Sequence, residues 1–198
     1  MKPTPEILAY FPGKQAEITS YAKLLASVAI ERGLVGPKEA DRIWERHIAN
    51  CIPITTIIPQ AVRVVDIGSG AGLPGIVIAL ARPDLKVTLV EPLQRRVDFL
   101  LEVVDQLKLP IQVVRGRAES VKMQFEIITC RAVAPLEKLI QISWHMIPKG
   151  GRLLAIKGES AQEEIDKTKL KKGATAQLHQ INLPNLPVAR VVEVKKGA

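Results

Sequence analysis

Aromatic residues, cysteine and long apolar runs are all scarce in this sequence, and each shortage argues against a class of protein. Phe, Trp and Tyr make up 4% of the 198 residues, so a platform of aromatic side chains stacked on bases is not expected. The two cysteines, Cys51 and Cys130, are far apart and lack a metal-binding spacing, so we expect free thiols in a reducing cytosol. No apolar run approaches the ~20 residues of a membrane-spanning helix, and the N-terminus lacks the apolar segment of a signal peptide. We therefore expect a cytoplasmic protein with no membrane partner.

Nucleophilic and metal-binding constellations are also missing. The histidines His47, His145 and His179 form no cluster with cysteine or acidic residues, so we expect no metal site. No Cys-His or Ser-His pair indicates covalent catalysis. The pattern favours chemistry that needs neither a metal ion nor a protein nucleophile.

Positive charge is in excess and is concentrated near the C-terminus. The formal net charge is +8, and residues 149–198 carry 10 Lys and Arg against 5 Asp and Glu. A basic excess of this size is typical of proteins that bind nucleic acid, although it also serves solubility alone.

Hydrophobic periodicity divides the chain into a helical part and an alternating part. Residues 1–60 predict an N-terminal helical cap, with one helix over 17–35 and a second that begins at Pro37. Residues 61–198 contain five short apolar strands that alternate with helices, followed by two segments that indicate an antiparallel hairpin. This order is typical of an α/β protein with a doubly wound, mostly parallel sheet. We expect the two parts to form one compact unit.

In the helix after the second strand, the expected apolar face is Val97, Leu100, Leu101, Val104 and Leu107.

A glycine-rich stretch, VVDIGSGAGLPG, follows the first predicted strand and opens a helix. Ligands bind at the carboxyl ends of strands in such sheets, and closely spaced glycines let the backbone approach them. The spacing fits both the dinucleotide pattern G-x-G-x-x-G and the acidic-first pattern of class I methyltransferases. The candidate cofactor-binding residues of this stretch are Asp66, Gly68, Ser69, Gly70, Gly72 and Leu73.

Three acidic residues indicate a nucleoside cofactor, and one of them, Asp66, distinguishes between the two candidates. The Asp66 carboxylate would repel the pyrophosphate of NAD, whereas it attracts the ammonium and sulfonium groups of S-adenosylmethionine. Glu91, which closes the second strand, can accept both ribose hydroxyls of either cofactor. Ala118 and Glu119 follow the third strand and suit an adenine ring, with a backbone N–H and an acceptor for the amino group. We therefore expect S-adenosylmethionine.

Five segments resemble one family in their order and spacing. They resemble segments of the RsmG (GidB) family of bacterial 16S rRNA guanine-N7 methyltransferases, and the resemblance covers about residues 20–195. IWERHIAN also resembles the RHILDS region of that family. The sequence departs from the family at Asn50–Cys51, which replaces Asp-Ser, and at Glu91, where Asp is common. The segments are DIGSGAGLPGI, TLVEPLQRRVDFL, RGRAES, CRAVAPLEKL and LLAIKGE.

The resemblance implies a class I, Rossmann-like methyltransferase fold and methyl transfer to N7 of a guanine in the decoding-region loop of 16S rRNA, either naked or in a small-subunit particle. It also implies that Arg131 lies near the cofactor and the reacting centre, and that Lys157 is the lysine usual at the end of the fifth strand. Guanine N7 carries a free lone pair, so no general base is expected, and we expect Arg131 and Lys157 to position ligand, base or phosphate. Four further positions match cofactor contacts of the family: Gly68, Leu73, Ala118 and Glu119.

Basic residues near strand ends and in a lysine-rich C-terminal stretch are candidate RNA contacts, with solvated surface charge as the alternative. Three rival functions remain open at this point: an NAD-dependent dehydrogenase, a non-catalytic rRNA-binding assembly factor and a small-molecule methyltransferase. We expect a monomer. The candidate RNA contacts are Arg95, Arg96, Arg117, Lys157, Lys167 and Lys171.

Overall fold

The computed structural model describes residues 3–197 and contains, within that range, seven strands and seven α-helices. The strands are β1 (Arg63–Ile67), β2 (Lys86–Glu91), β3 (Gln112–Arg115), β4 (Ile127–Arg131), β5 (Arg152–Lys157), β6 (Ala174–Ile181) and β7 (Ala189–Lys196). The α-helices are α1 (Pro5–Leu8), α2 (Gln15–Ala26), α3 (Val28–Glu31), α4 (Gly75–Ala81), α5 (Gln94–Gln106), α6 (Leu136–Ser143) and α7 (Ala161–Lys167).

The strands form one sheet in the order β3–β2–β1–β4–β5–β7–β6. The first five strands run parallel, and β7 pairs antiparallel with both β5 and β6. The predicted mostly parallel sheet with a C-terminal antiparallel hairpin is thus confirmed. The chain winds outward from β1 to β3 on one side and from β4 to β5 on the other, so its direction reverses between β1 and β4. At such a reversal the loops diverge and leave a crevice at the carboxyl ends of the strands.

The sheet is covered on both faces, which explains why its central strands read as continuous apolar runs. Successive side chains of a strand point to opposite faces, so Val64 and Val65 belong to different hydrophobic clusters. Val64 shares its cluster with Ile18 and Tyr21 of α2, both fully buried, and with Ile76 of α4. The hydrophobic core therefore continues from the N-terminal helices into the sheet.

The helices of the N-terminal part are shorter than the sequence predicts. The expected single helix over 17–35 is interrupted at Ser27, whose hydroxyl donates to the carbonyl oxygen of Lys23 at 2.8 Å. Such side-chain bonds compete with the regular helical pattern. The predicted helix from Pro37 is a 3₁₀ helix over Pro37–Arg42 followed by a π-helical turn over Ile43–Ile48.

The buried face of α5 also differs from the expectation. Val97 and Leu100 are buried as predicted, but Leu101 is 49% exposed. Phe99 and Val103 take core positions instead. The prediction for Leu101 was wrong because the apolar residues of this helix span more than one face, and periodicity alone does not show which face the sheet covers.

Candidate active site

The glycine loop, residues 68–75, lies at the carboxyl end of β1 and leads directly into α4. The N–H groups of Gly68 and Ser69 both donate to the carbonyl oxygen of Val90, at 2.8 and 3.2 Å. These two hydrogen bonds anchor the loop to the end of β2. The loop therefore sits in the crevice where the winding of the sheet reverses.

Two glycines of the loop are required for different reasons. Gly72 has a φ of +96°, and a Cβ there would collide with the Ile76 side chain and lie 3.0 Å from the Tyr21 hydroxyl. Gly70 has a φ of +59°, but a Cβ there would meet no heavy atom closer than 3.9 Å. Gly72 thus packs inward, whereas Gly70 leaves open space beside the backbone for a ligand.

Asp66 lies behind the loop and is fully buried. Its Oδ2 accepts a hydrogen bond from the Gly75 N–H at 3.0 Å, and its Oδ1 is buried with no partner among the described residues. Burial raises the pKa of Asp66 to about 7, and the nearby Glu91 carboxylate adds to the effect. Asp66 is absent from the wall of the cavity in front of the loop. Asp66 therefore positions the loop and the start of α4 in this structure, and its direct contact with cationic cofactor groups stays a prediction.

Glu91 closes β2 and has no exposed surface. Its Oε2 accepts from the Gly70 N–H at 2.9 Å, and its Oε1 accepts from the Leu93 N–H at 3.0 Å. The Arg96 guanidinium lies 3.6 Å from Oε2. Each carboxylate oxygen has two lone-pair sites, so Glu91 can still accept ribose hydroxyls while it holds the loop.

A cavity of about 560 Å³ lies in front of the loop, and we call it the glycine-loop cavity. Of the predicted cofactor residues, its wall contains Gly68, Ser69, Gly70, Leu73, Glu91 and Arg131. The complete wall is formed by residues 34–36, 68–71, 91–93 and 131–133 together with His47, Leu73 and Arg96.

Ala118 and Glu119 do not line this cavity. They lie in a 3₁₀ turn, Ala118–Ser120, just beyond β3, where Ala118 is buried and Glu119 is exposed. The turn stays next to the end of β2 because the Gly116 N–H donates to the carbonyl oxygen of Glu91 at 3.1 Å. The structure thus places the predicted adenine-side pair beyond the end of β3, next to the end of β2 and outside the wall of the glycine-loop cavity.

Arg131 closes β4 and joins the sheet to the helical cap. Its Nη2 lies 2.8 Å from His47 Nδ1, and its Nη1 donates to the carbonyl oxygens of Arg46 and His47 at 3.3 and 3.4 Å. The same Nη1 lies 3.8 Å from the Cys51 sulfur. The guanidinium, expected to touch ligand, base or phosphate, is occupied here by the cap, although the residue still lines the cavity.

His47 connects Arg131 to an acidic residue of the cap. Arginine can only donate, so His47 Nδ1 must accept, and Nε2 then carries the hydrogen that it donates to Glu39 Oε2 at 2.9 Å. Burial and the charge of Arg131 lower the pKa of His47, against the opposing effect of Glu39. The imidazole is therefore neutral near pH 7 and fixed in one tautomer.

Lys157, at the end of β5, is held inside the structure with only 9% of its side chain exposed. Its ammonium donates to the carbonyl oxygen of Ala134 at 2.8 Å and pairs with Glu164 Oε2 at 2.7 Å. The same Glu164 oxygen accepts from the Leu136 N–H at 2.9 Å. Lys157 thus fastens residues 131–135 to α7, and this arrangement does not present it as a free phosphate contact.

A second cavity, of about 750 Å³, adjoins the first. The two cavities share His47 and residues 131–133, which form the wall between them. We call it the outer cavity. Its wall consists of Glu39, Arg46, His47, Asn50, Glu164 and residues 131–135, 156–158 and 188–190.

The other candidate RNA contacts are spread over the molecule. Arg95, Arg117, Lys167 and Lys171 are exposed. Arg96 instead lines the glycine-loop cavity beside Glu91, and its Nε is buried with no partner among residues 3–197. The structure therefore does not gather these six basic residues into one patch.

Several residues of the two cavities were missed by sequence reasoning. Residues 34–36 were read only as the end of a helix, yet they form one wall of the glycine-loop cavity. Tyr21, assigned to a helix core, donates through its hydroxyl to the carbonyl oxygen of Ala71 at 2.8 Å. The contacts of His47 and Glu164 bridge residues distant in sequence, which periodicity does not detect. For His47 the available signal was its place in IWERHIAN, which resembles a segment of the family, and the sequence offered none for Glu164.

Within residues 3–197, no three His, Cys, Asp or Glu side chains lie close enough together to hold a metal ion. No helix in the described part of the chain is both long and apolar enough to cross a membrane.

Two solved structures share this fold at low sequence identity. A methyltransferase from Pyrococcus furiosus aligns with a TM-score of 0.64 and 15% identity, covering 95% of this chain and all (100%) of that chain. The M. jannaschii TYW2 in complex with AdoMet aligns with a TM-score of 0.56 and 16% identity, covering 79% of this chain and 78% of that one. These likenesses confirm the predicted class I, Rossmann-like methyltransferase fold.

Sequence comparison identifies the family. The family model described as "GidB: rRNA small subunit methyltransferase G" matches residues 14–190. The "Ribosomal RNA small subunit methyltransferase G" of Thermobifida fusca is 53% identical over 180 residues, covering 89% of this chain and 72% of that protein. The protein of the same name from Streptomyces coelicolor is 44% identical over 198 residues, covering 98% and 80%. Because these matches span most of the chain, the protein belongs to the rRNA small subunit methyltransferase G (GidB) family.

Proposed function

We propose that this protein transfers a methyl group from S-adenosylmethionine to N7 of one guanine in the decoding-region loop of 16S rRNA. The observation that carries the proposal is the pair of adjoining cavities at the carboxyl edge of the sheet, which share the wall formed by His47 and residues 131–133. A transfer reaction needs a donor and an acceptor bound side by side. Membership of the family indicates that the group transferred is a methyl group. We further propose a cytoplasmic monomer that works without a metal ion, in which residues 1–60 act as a cap over both cavities.

The glycine-loop cavity fits S-adenosylmethionine. Gly70 leaves open space beside its backbone, Glu91 is a buried acceptor for ribose hydroxyls, and Leu73 and Leu93 supply apolar wall. When bound there, S-adenosylmethionine supplies an electrophilic methyl group on a sulfonium, and its transfer to N7 moves the positive charge from sulfur to guanine as the carbon–sulfur bond breaks. The protein's own task is to hold the two partners in line, and such positioning contributes on the order of 7–11 kcal/mol.

Neither His47 nor either cysteine is prepared for proton abstraction or nucleophilic attack. Both ring nitrogens of His47 are engaged, and its pKa is lowered. Burial raises the pKa of Cys51 to about 11 and that of Cys130 to about 12, so both thiols stay protonated near pH 7. This fits an acceptor such as guanine N7, which loses no proton when it is methylated.

The NAD-dependent dehydrogenase is disfavoured by the glycine loop itself. A pyrophosphate binds to free N–H groups of such a loop, but here the Gly70 N–H already donates to the buried carboxylate of Glu91. That carboxylate would repel the pyrophosphate from the place where it must bind. Calorimetry with each cofactor tests the choice, and the expected result is binding of S-adenosylmethionine without measurable binding of NAD.

The direct test is incorporation of labelled methyl groups. The protein is incubated with methyl-labelled S-adenosylmethionine and small-subunit particles that lack the modification, with naked 16S rRNA as a parallel substrate. Label in the RNA is expected in at least one of the two. Cofactor binding without label in either RNA would support the rival assembly factor, and label only in small molecules would support the small-molecule methyltransferase.

A further inference from the structure

We infer that the outer cavity holds the target guanine itself, extruded from the rRNA, and that the Glu164 carboxylate accepts hydrogen bonds from the edge of the base that carries N1 and N2. This rests on the proposed function, which it makes specific by naming the residues that recognise the base. Enzymes that modify a base commonly take it out of its stack and read it in a pocket.

The strand order puts the outer cavity where the acceptor must be. The glycine loop follows β1, and the neighbouring strands on the far side from β2 are β4 and then β5. Arg131 ends β4 and lies between the cavities, whereas Lys157 ends β5 and lines only the outer one. Adjacent strands are ~4.8 Å apart, so the two cavities are separated by about one strand. A base in the outer cavity can therefore present N7 toward the glycine-loop cavity.

Guanine is distinguished by two adjacent donors, N1–H and the N2 amino group, on the edge of the base opposite N7. A carboxylate is the acceptor that matches such donors. Two carboxylates line the outer cavity, those of Glu39 and Glu164. Both oxygens of the Glu39 carboxylate are engaged, Oε1 with Arg46 at 2.7 Å and Oε2 with His47 at 2.9 Å. Glu164 differs in that both hydrogen bonds to its carboxylate fall on Oε2, so it is the carboxylate that offers a whole oxygen, and we assign the base edge to it.

Glu164 is held so that one oxygen stays available. Lys157 Nζ and the Leu136 N–H both bond to Oε2, and within the described residues Oε1 has no hydrogen bond. Burial disfavours the charged form of Glu164, but the hydrogen bonds from Lys157 and Leu136 outweigh it and hold its pKa below the ordinary value. The carboxylate is thus ionised at neutral pH and fixed in place, as an acceptor for guanine should be.

Apolar walls and a basic rim complete the match to a nucleotide. Val133 and Val188, both on the cavity wall, are 39% and 47% exposed, which is unusual for residues of their size in the described chain. Such side chains can pack on the flat faces of a base. Arg190 is also on the wall, and among the described residues its guanidinium is in no ion pair. It is available for a phosphate beside the extruded nucleotide.

The test compares guanosine with inosine, which lacks the N2 amino group, at the target position of reconstituted small subunits. The wild-type protein should methylate the guanosine particle at least about tenfold faster, because inosine leaves part of a charged acceptor unpaired. In Glu164→Gln this preference should fall to within about threefold, with the dissociation constant for S-adenosylmethionine unchanged. Glu163→Gln is the matched control, since Glu163 is exposed on the same helix and, among the described residues, forms an ion pair only with Lys167.

A structural role for Glu164 would slow both substrates alike and leave their ratio at the wild-type value, and that result would overturn the inference. If the wild-type protein labels neither particle, the proposed function itself fails, so the two failures are distinct.

Val188→Ser provides a second variant at an exposed position. Its KM for the particle should rise about fivefold, whereas Leu101→Ser, at an equally exposed position on α5, should not change it. Equal KM values for the two serine variants would also count against the cavity as the guanine site.

Discussion

At Gly72, a hydrogen atom in place of a side chain lets the glycine loop pack against α4 and the cap. Gly72→Ala combines an unfavourable φ of +96° with a collision at Ile76, and we expect a loss of about 2–4 kcal/mol in the free energy of unfolding. Urea denaturation measures it, and calorimetry should show weaker binding of S-adenosylmethionine.

Gly173→Ala is the control for that substitution. Gly173 has a similar φ of +76°, but a Cβ there would meet no atom within 4 Å. This variant should carry only the conformational part of the cost, about 1 kcal/mol, and keep normal cofactor affinity. Equal losses for both variants would show that packing of the loop on α4 contributes nothing.

Asp66 gives the folded protein a distinctive dependence on pH. Burial raises its pKa from 3.8 to about 7, so between these values the folded state holds a proton that the unfolded state has lost. The contribution of Asp66 to the free energy of unfolding therefore falls as the pH rises from about 4 to about 7, by at most ~1.4 kcal/mol per pH unit, and levels off above. Asp66→Asn lacks this titration but keeps an acceptor for the Gly75 N–H. The free energy of unfolding of this variant, relative to wild type, should increase from pH 5 to pH 7 in denaturation measurements. A difference that stays constant over this range would exclude the titration of Asp66.

Among the elements, β4 and the cap segment Ile43–Cys51 are joined by one side chain. Arg131→Ala removes the contacts to His47 and to two backbone carbonyls, of which the 2.8 Å bond to His47 is worth roughly 1.5–3 kcal/mol for a charged donor. We expect faster amide hydrogen exchange in residues 43–51 and a drop of at least about tenfold in methyl transfer at saturating S-adenosylmethionine and rRNA.

The control is Arg63→Ala, which breaks an exposed pair with Glu126 at the amino end of β1. Exposed ion pairs contribute little to stability. Amide hydrogen exchange in residues 43–51 and the rate of methyl transfer should therefore remain at wild-type values. Transfer by Arg131→Ala at the wild-type rate would reject the positioning role of Arg131.

The elements differ in how far the sequence determined them. All seven strands were predictable: the buried ones read as short apolar runs between turn residues, as in β1 and β2, and the edge strands β6 and β7 read as alternating segments. Helices were less certain where several faces are apolar, as in α5, or where a polar side chain bonds to its own backbone, as Ser27 does. The glycine loop and Glu91 were found by local spacing, whereas the link from Arg131 through His47 to Glu39 depends on contacts that form only after folding.

At the scale of the whole molecule, α7 extends from the outer cavity to the basic C-terminal surface. Glu164 lines the cavity, Lys167 ends the same helix, and Lys171 follows it in an exposed stretch. If these lysines contact rRNA phosphates, the Lys167→Gln, Lys171→Gln double variant should bind the particle more weakly and lower the slope of log affinity against log salt by about 1 to 2.

Lys108→Gln serves as its control, because Lys108 is as exposed as Lys167 but follows α5 and precedes β3, at the edge of the sheet opposite to β6, the strand that follows α7. It should leave both the affinity and the salt slope unchanged. A salt slope for the double variant equal to that of wild type would show that these lysines are merely solvated.

The most direct measurement maps the product atom by atom. Small-subunit particles that lack the modification are treated with the protein and methyl-labelled S-adenosylmethionine, and the 16S rRNA is then cleaved by chemistry specific for N7-methylguanine. Cleavage and label at a single guanine of the decoding-region loop are the expected result. Label at any other atom, or dispersed over many guanines, would contradict site-specific N7 methylation by this protein.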